Sequence, residues 1–223
     1  MTLRHKAYKT ALSTGLASEW NDDHWADFRD ELLAEWTFPA HNIPAEFTNA
    51  VTGSATVDVG MANNHNSMNL LTGATSSSVA SLKLGDTDTT NKLDLPIFTS
   101  TIKLESNDLA EFGFFVYANT PFTANQKGAY FRISGGKLYA VTGTGAAETA
   151  TEIENTPTYG QYKIEFTSID VRFYLDDLIT PVATHTTTIP TEDITLKVSL
   201  KTQTTTPRIL RMDGLALMRL REQ

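Results

Sequence analysis

The chain has 223 residues, no cysteine and a formal net charge of −8, and these properties exclude several classes of protein. The lack of cysteine excludes disulfide bonds, zinc–thiolate sites and thiol catalysis. The acidic balance, with no visible cluster of lysine and arginine, argues against binding to nucleic acid. No apolar run approaches the length of a bilayer span, so we expect no membrane insertion. With 40% hydrophobic residues the chain can bury a core.

The first 52 residues are predicted to form a mostly helical or extended attachment segment ahead of a β-sandwich at residues 53–223. Apolar side chains between Trp25 and Trp36 recur at the spacing of one helix face. Pro44–Val51 is predicted to form a second short helix. The first of these helices would have about 15 residues, and a lone helix of that length is marginally stable in water. We therefore expect the aromatic face of this first helix to pack either on the chain's own sandwich or on a neighbouring subunit.

Beyond this segment the pattern is typical of a sandwich or jelly roll. Residues 53–78 are predicted to form a connector with short edge strands at Thr56–Val59 and Met68–Leu71. A hairpin turn is predicted at Ser134-Gly135-Gly136 and a bulge or break at Asp213-Gly214. Strand candidates recur about every ten residues. They are Ser78–Leu84, Ile97–Leu104, Glu111–Tyr117, Gly128–Ser134, Lys137–Thr142, Ala147–Glu154, a meander within Tyr159–Thr188, Asp193–Lys201 and Arg208–Leu220.

The meander shows the clearest alternation between apolar and polar residues in the chain. This period of two is the signature of half-buried strands, and it needs a second apolar layer to cover it. The side chains predicted to face that layer are Tyr162, Ile164, Phe166, Ile169, Val171, Phe173 and Leu175.

The same region carries a family resemblance. The motifs concerned are Tyr162-Lys163-Ile164-Glu165, Phe173-Tyr174-Leu175-Asp176-Asp177, Ala183-Thr184-His185-Thr186, Ile189-Pro190 and Met212-Asp213-Gly214-Leu215-Ala216-Leu217. Together they resemble the back half of concanavalin A-like lectin/glucanase jelly rolls, in particular those of tailed-virus structural proteins. Asp177 stands where that family usually has glycine. The resemblance implies an all-β, concanavalin A-like β-sandwich of the jelly-roll type.

A second resemblance lies near the N-terminus. The segment Gly15-x-Ala17-Ser18-x-Trp20-Asn21-x-Asp23-His24 is similar to a Trp-Asn-x-x-His segment near the start of phage tail and virion proteins. It implies a virion location, contacts with other virion proteins and a homo-oligomer, with a trimer favoured. Large aromatic residues are the usual anchors of protein interfaces. The residues predicted to anchor the chain are Trp20, Asn21, His24, Trp25, Phe28 and Trp36.

The sequence holds no clear set of catalytic residues. The glucanases that the chain resembles carry their acids at Glu-x-Asp-x-x-Glu spacing on one strand, as retaining hydrolysis requires. The nearest residues are Glu148, Glu152 and Glu154, without an aspartate between them, and a solvated strand edge is their predicted role. There is also no Gly-x-Ser-x-Gly elbow. These observations predict a non-enzymatic protein.

No metal or cofactor site is assigned. The five histidines show no i, i+4 pairing, which argues against zinc. Asp86-x-Asp88-x-x-Asn91-x-x-Asp94 is similar to the calcium-holding clusters of legume-type lectins. It lacks the glycine turn and terminal glutamate of a known calcium loop. Whether calcium binds there stays open.

The sequence therefore favours a virion structural protein, a fibre, spike or decoration component that presents a lectin-like sandwich on the particle surface. The alternative is a carbohydrate-binding module or adhesin that binds cell-surface glycans. Its candidate residues are Tyr130, Arg132 and Tyr174, since an aromatic ring on a sheet face offers a flat apolar surface to a sugar. A glycoside hydrolase is the third interpretation, and it requires two carboxylates facing each other across a groove.

Overall fold

A computed structural model describes residues 30–37, 43–62, 65–85, 95–104, 109–155 and 159–220. Within these ranges every helix or strand assigned is a β-strand, and the strands form an eight-stranded and a seven-stranded antiparallel sheet. The described ranges include no helix that could cross a membrane. The predicted all-β sandwich is confirmed.

The two sheets divide the strands as follows. The eight-stranded sheet contains β1 (Asp30–Thr37), β3 (Thr56–Ala62), β4 (His65–Thr72), β6 (Pro96–Leu104), β11 (Tyr159–Phe166), β12 (Val171–Leu175), β13 (Ala183–His185) and β15 (Arg208–Leu220). The seven-stranded sheet contains β2 (Phe47–Thr52), β5 (Val79–Leu84), β7 (Leu109–Phe115), β8 (Gly128–Ser134), β9 (Lys137–Gly143), β10 (Glu148–Asn155) and β14 (Thr195–Lys201). The first runs β13-β12-β11-β6-β15-β4-β3, with β1 on β15, and the second runs β10-β9-β8-β7-β14-β5-β2.

The long strand β15 organises the eight-stranded sheet. One side of it pairs with β6, and the other pairs first with β4 and then, beyond Met212, with β1. The register shifts between Met212 and Gly214, which confirms the bulge predicted there. The Ser100 hydroxyl donates a hydrogen bond of 2.6 Å to the Gly214 carbonyl beside this shift. The bulge therefore lies where one neighbouring strand replaces the other.

The meander of β11, β12 and β13 supplies much of the core. Ile164, Phe166, Val171 and Phe173 are at most 2% exposed and lie between the sheets, as predicted. The Phe173 ring meets that of Phe131 on the opposite sheet edge to face, with centroids 5.4 Å apart. Aromatic pairs prefer this geometry. The contact joins the two layers.

Ile169 does not follow the meander pattern. It is 73% exposed, in the turn between β11 and β12. Thr167 and Asp170 close that turn, since the Thr167 amide donates to the Asp170 carbonyl at 2.9 Å and its hydroxyl to Asp170 Oδ1 at 2.6 Å. The prediction that Ile169 faces the core is wrong because the turn interrupts the alternation.

Both helices predicted for the N-terminal segment are wrong where the structure describes them. Asp30–Thr37 is strand β1, paired with the second half of β15. Phe47–Thr52 is strand β2, paired with β5. Helix propensity is a weak prior that tertiary context overrides. Here the sheet edges at β15 and β5 offer each segment a full set of backbone hydrogen-bond partners.

Trp36 packs on the chain's own sandwich. It is 8% exposed, and its ring lies edge to face with Phe47 at a centroid distance of 5.0 Å. The sequence left two partners open for the aromatic face, and Trp36 packs on the chain's own sandwich rather than on a neighbouring subunit. The division at residue 52 stays a prediction, although β1 and β2 both form sheet pairs with residues of the second part.

The predicted connector at residues 53–78 contains two well-formed strands. β3 lies at the edge of its sheet as predicted, but β4 lies between β3 and β15. Met68 and Leu70 on β4 are fully buried. The prediction of an edge position for β4 is therefore wrong. The alternation of buried and exposed residues on β4 is difficult to recognise in the sequence because the surrounding residues are Asn, Ser and Thr.

His185 joins the two sheets at one end of the sandwich. It lies on β13 and is 3% exposed. Its Nδ1 is 2.9 Å from Thr142 Oγ1 on β9, and its Nε2 is 3.0 Å from Thr151 Oγ1 on β10. Burial lowers the pKa of His185. The ring is therefore favoured in its neutral form, and it bridges the sheets through threonine hydroxyls that can donate or accept.

We expect Phe173→Ala to lower the free energy of unfolding by about 3 to 5 kcal/mol, because it leaves a cavity between the sheets. Ile169→Ala, in the same hairpin, should change it by less than about 0.5 kcal/mol since the side chain is exposed. Urea denaturation of both variants measures the difference. Equal midpoints for Phe173→Ala and the parent chain would contradict the packing described above.

Candidate functional site

Charged and aromatic side chains lie side by side on the outer face of the seven-stranded sheet. On β7, Phe112 and Phe114 belong to the core between the sheets, so Glu111 lies on the opposite face. The register places Glu111 beside Arg132 on β8, and Arg132 beside Tyr139 on β9. Three neighbouring strands thus contribute one row of side chains to this outer face.

A tight hairpin sets this register. Gly135 and Gly136 have φ angles of 60° and 78°, as a type I′ turn requires, and Ser134 pairs with Lys137. The hairpin predicted at Ser134-Gly135-Gly136 is therefore confirmed. A slip of one residue would turn one strand's side chains to the other face, so the glycines position the row indirectly.

Glu111 is a buried charged residue near the centre of the face. It is 1% exposed, and its carboxylate accepts hydrogen bonds of 2.8 Å from Gln126 Nε2 and from the Phe122 amide. Burial raises the pKa of Glu111. Gln126 Oε1 has no hydrogen-bond partner among the described residues. With the amide reversed, a protonated Glu111 can donate to that oxygen.

Arg132 forms a bidentate ion pair with Glu148 on β10. Its two terminal nitrogens lie 2.9 and 2.7 Å from the two carboxylate oxygens, the geometry that makes such pairs strong and directional. The side chains are 22% and 16% exposed. The Tyr130 hydroxyl donates to Glu148 at 3.3 Å. Burial raises the pKa of Tyr130, with the charges of Glu111 and Glu148 adding to it, so this hydroxyl remains a donor.

Arg132 is thereby near two carboxylates in different surroundings. Glu148 is ion-paired and reaches solvent, whereas Glu111 is buried and its pKa is raised. Arg132 acts electrostatically on Glu111 as well as pairing with Glu148. Carboxyl groups whose surroundings separate their protonation states are the usual basis of acid and base roles in one site.

An aromatic cluster adjoins these charges. Phe115 and Tyr130 stack at a centroid distance of 4.5 Å, and Val141 and Tyr139 pack beside them, apart from the main core. Tyr139 is only half-buried, and the Arg132 guanidinium lies 5.8 Å from its ring centroid. Tyr139 is the ring of this cluster that reaches the surface.

The loop between β7 and β8 covers part of the face. Its ends are joined by a hydrogen bond from the Val116 amide to the Lys127 carbonyl. Glu111 holds its middle through Phe122 and Gln126, and Lys197 on β14 donates to the Asn119 carbonyl. Phe122 and Asn125 have positive φ angles, 62° and 53°, which side-chain-bearing residues adopt at a cost. Hydrogen bonds with two ionisable residues of the sheet, Glu111 and Lys197, therefore hold the loop in place.

The structure separates the predicted glycan-binding residues. Arg132 lies in the cluster, but Tyr130 is fully buried and its ring is already stacked on Phe115. Tyr174 lies on the other sheet, 4% exposed, where its hydroxyl donates to Glu165 at 2.8 Å. The three cannot form one site. Tyr139 was missed, although the predicted hairpin already implied that it lies opposite Arg132.

The three candidate carboxylates of β10 also differ from one another. Glu148 is tied to Arg132, whereas Glu152 is 44% exposed and pairs with Lys137 at 2.8 Å. The predicted solvated strand edge therefore fits Glu152 and not Glu148. The side chain of Glu154 lies outside the described residues.

Several predicted functional residues cannot be placed. Of the anchoring set only Trp36 is described, and Trp20, Asn21, His24, Trp25 and Phe28 lie outside the described ranges. The calcium candidate at Asp86-x-Asp88-x-x-Asn91-x-x-Asp94 lies outside them as well. Within those ranges, no three His, Asp or Glu side chains converge as a metal-ligand group.

The relations of the chain to known proteins are structural. The sequence matches no protein-family model and no curated protein. The catalytic domain of an endo-1,3-β-glucanase (laminarinase) from Thermotoga petrophila superposes with a TM-score of 0.63 at 11% identity, over 86% of this chain and 99% of that one. A β-1,3-glucanase from Mycobacterium marinum superposes with a TM-score of 0.57 at 9% identity, over 83% and 98%.

A lectin domain shares the fold too. The exoplasmic/lumenal domain of VIP36, in a form bound to Ca²⁺ and Man3GlcNAc, superposes with a TM-score of 0.56 at 10% identity, over 85% of this chain and 89% of that one. The fold is therefore a concanavalin A-like lectin/glucanase sandwich, as the resemblance implied. Identities this low show the fold alone.

These similarities overturn the prediction of a non-enzymatic protein. Several of the matching structures are named glucanases, so this fold is one that hydrolases use. The prediction rested on the missing linear motif, and the absence of that motif does not exclude an enzyme in a fold that hydrolases share. The structure places Glu111 of β7 and Glu148 of β10 near Arg132, a grouping that no linear motif contains.

We expect Glu148→Gln to lower the free energy of unfolding by about 1 to 3 kcal/mol, because it leaves Arg132 largely buried with one acceptor instead of two charged ones. Glu152→Gln, on the same strand and face, should cost no more than about 1 kcal/mol, since its ion pair is exposed. Thermal unfolding of the two variants at one ionic strength provides the comparison. Equal losses would show that the Arg132 pair is no stronger than a surface pair.

Proposed function

We propose that this chain binds a glycan on the outer face of the seven-stranded sheet. The observation that carries the proposal is the half-buried ring of Tyr139 beside the Arg132–Glu148 ion pair. An aromatic ring offers an apolar surface to the C–H face of a sugar, and a few fixed charged groups can bind its hydroxyls. The shared fold with glucanases and with a glycan-bound lectin domain supports it.

The ion pair suits this role because it is already formed without a ligand. Glu148 Oε2 accepts from both Arg132 and Tyr130, whereas Oε1 accepts from Arg132 alone and keeps a lone pair, and the side chain is 16% exposed. A sugar hydroxyl can therefore donate to Glu148 without breaking the pair. Groups held in place before binding lose less entropy when a ligand arrives.

Hydrolysis of the bound glycan is a second candidate, favoured by the two carboxylates beside Arg132. Glu148, which forms the ion pair with Arg132, is placed for the role of base or nucleophile, and burial raises the pKa of Glu111, as a proton donor requires. Glu111 is buried beneath the β7–β8 loop. This reaction therefore requires that the loop opens.

We propose, on the resemblance of the N-terminal segment to virion proteins, that the chain presents this face from a virus particle. In that setting it forms a homo-oligomer, with a trimer favoured, and contacts other virion proteins through Trp20, Trp25 and Phe28. Trp36 is removed from this anchoring set because its ring is buried against Phe47. A protein on the surface of a virus particle meets the glycans of the cell surface, so these glycans are the ligands that we propose.

We expect Tyr139→Ala to weaken binding to the best ligand on a glycan array by at least about tenfold, since it removes the stacking ring. Tyr159→Ala is the matched control. Tyr159 is 58% exposed on the other sheet, so its removal should leave the affinity unchanged. Isothermal titration calorimetry with that ligand gives both values.

Equal loss in the two variants, or no change in either, would contradict the proposed face. The same ligand, incubated with the parent chain and with Glu148→Gln, separates binding from hydrolysis. Reducing-sugar release that Glu148→Gln abolishes supports the second candidate. Tight binding without any release by the parent chain would contradict it.

We expect light scattering on the intact chain to give the mass of a trimer, and Trp25→Ala to lower that mass because it removes an anchoring ring. Ile169→Ala is the control, since Ile169 is an exposed turn residue within the sandwich. A monomeric parent chain, or an unchanged mass for Trp25→Ala, would contradict the anchoring role. Incorporation of both variants into particles tests the location directly.

A further inference from the structure

Two lysines lie directly opposite each other on the outer face of the seven-stranded sheet. Lys197 on β14 pairs in register with Lys83 on β5. Their neighbours along the strands, Leu82 and Val198 among them, belong to the core, so both lysines point outward. Residues paired this way have Cβ atoms about 4.5 to 5.5 Å apart, and like charges at this distance destabilise a sheet.

Neither ammonium group has a carboxylate partner in the described part of the chain. Lys83 Nζ lies 4.1 Å from the centroid of the Tyr117 ring, and Lys197 Nζ lies 5.6 Å from that of Phe115. An aromatic face attracts a cation but satisfies its N–H donors poorly. Among the described residues, the one hydrogen bond that either ammonium donates runs from Lys197 to the Asn119 carbonyl. Most of the six N–H donors therefore have no hydrogen-bond acceptor within the described ranges.

Glu111 does not neutralise this pair. Its carboxylate already accepts from Gln126 and Phe122, and it interacts with Lys197 only through space. Burial, and then the charge of Lys83, lower the pKa of Lys197 to about 8. The charge of Glu111 acts in the opposite direction, so the cationic form is only partly compensated. An unpaired charge at a residue only 3% exposed is costly to maintain, and a bound anion would remove that cost.

We propose that Lys83 and Lys197 form an oxyanion site that binds the carboxylate or sulfate of an acidic sugar residue. The proposal rests on the proposed glycan-binding function and extends it to the class of ligand. Lys197 lies on the same face as Tyr139, three strands away in the order β14-β7-β8-β9, and Lys83 lies one strand further on β5, so the two sites are about 14 to 19 Å apart across the strands at the usual spacing. An oligosaccharide of several sugar residues is long enough to reach from one to the other.

The geometry favours an anion that enters past Lys83. Lys83 is half-buried, whereas Lys197 is buried beneath the β7–β8 loop. An oxyanion offers several acceptors, so it can bridge two ammonium groups that a neutral hydroxyl cannot neutralise. The ligand class predicted by this pair is therefore an acidic glycan.

The test compares an oligogalacturonate with a neutral oligosaccharide of the same length by calorimetry at low salt. We expect the parent chain to bind the acidic probe at least about tenfold more tightly. Lys83→Met should remove that preference and leave neutral binding unchanged, while Lys83→Arg should keep it. Lys201→Met is the matched control, because Lys201 lies on β14 and the same face but opposite Val79.

The results separate this proposal from the proposed function. Loss of the acidic preference in Lys83→Met, with Lys201→Met unchanged, supports the lysine site. Equal losses in both variants would show a general charge effect and overturn it. If no oligosaccharide binds, but inorganic sulfate raises the melting temperature of the parent chain and not of Lys83→Met, the oxyanion site stands while glycan binding fails. Tyr139-dependent binding without any acidic preference would instead support the glycan-binding face and overturn the lysine site.

Discussion

The packing of two sheets across an aromatic core is the constraint on which the rest of this molecule depends. Every second residue of β7, β8 and β9 is used in that core, with Phe112 and Phe131 among the largest rings. The alternate residues are forced to the outside. A row that includes Glu111 and Arg132 therefore follows from the same register that buries the phenylalanines, and a slip of one residue would lose both.

The sequence predicts most of the sandwich because its strands obey local rules. The meander, the Gly135-Gly136 hairpin and the bulge before Gly214 all follow from alternation and turn chemistry. The sequence-based prediction fails for β1, because helical spacing of its apolar residues concealed a strand that pairs with the distant β15. The candidate site could not be predicted for a related reason. Glu111, Arg132 and Glu148 lie on different strands, and no local sequence pattern indicates that they come together.

The shared fold does not determine one function, since lectins and hydrolases use the same sandwich. On this chain the face combines an exposed edge, with Tyr139 and the Arg132–Glu148 pair, and a covered part beneath the β7–β8 loop. The exposed edge suits recognition. In the covered part, Glu111 and Lys197 hold a strained loop against the sheet, so hydrolysis by Glu111 would require this loop to open.

The outer face of the seven-stranded sheet is the surface proposed to bind ligand. Amide chemical-shift mapping by NMR, with the best glycan ligand added to the isotope-labelled chain, tests this directly. The largest shifts are expected on β7 to β10 and β14, around Arg132, Tyr139 and Glu148. Largest shifts on β11 to β13, near Tyr174 on the other sheet, would contradict it.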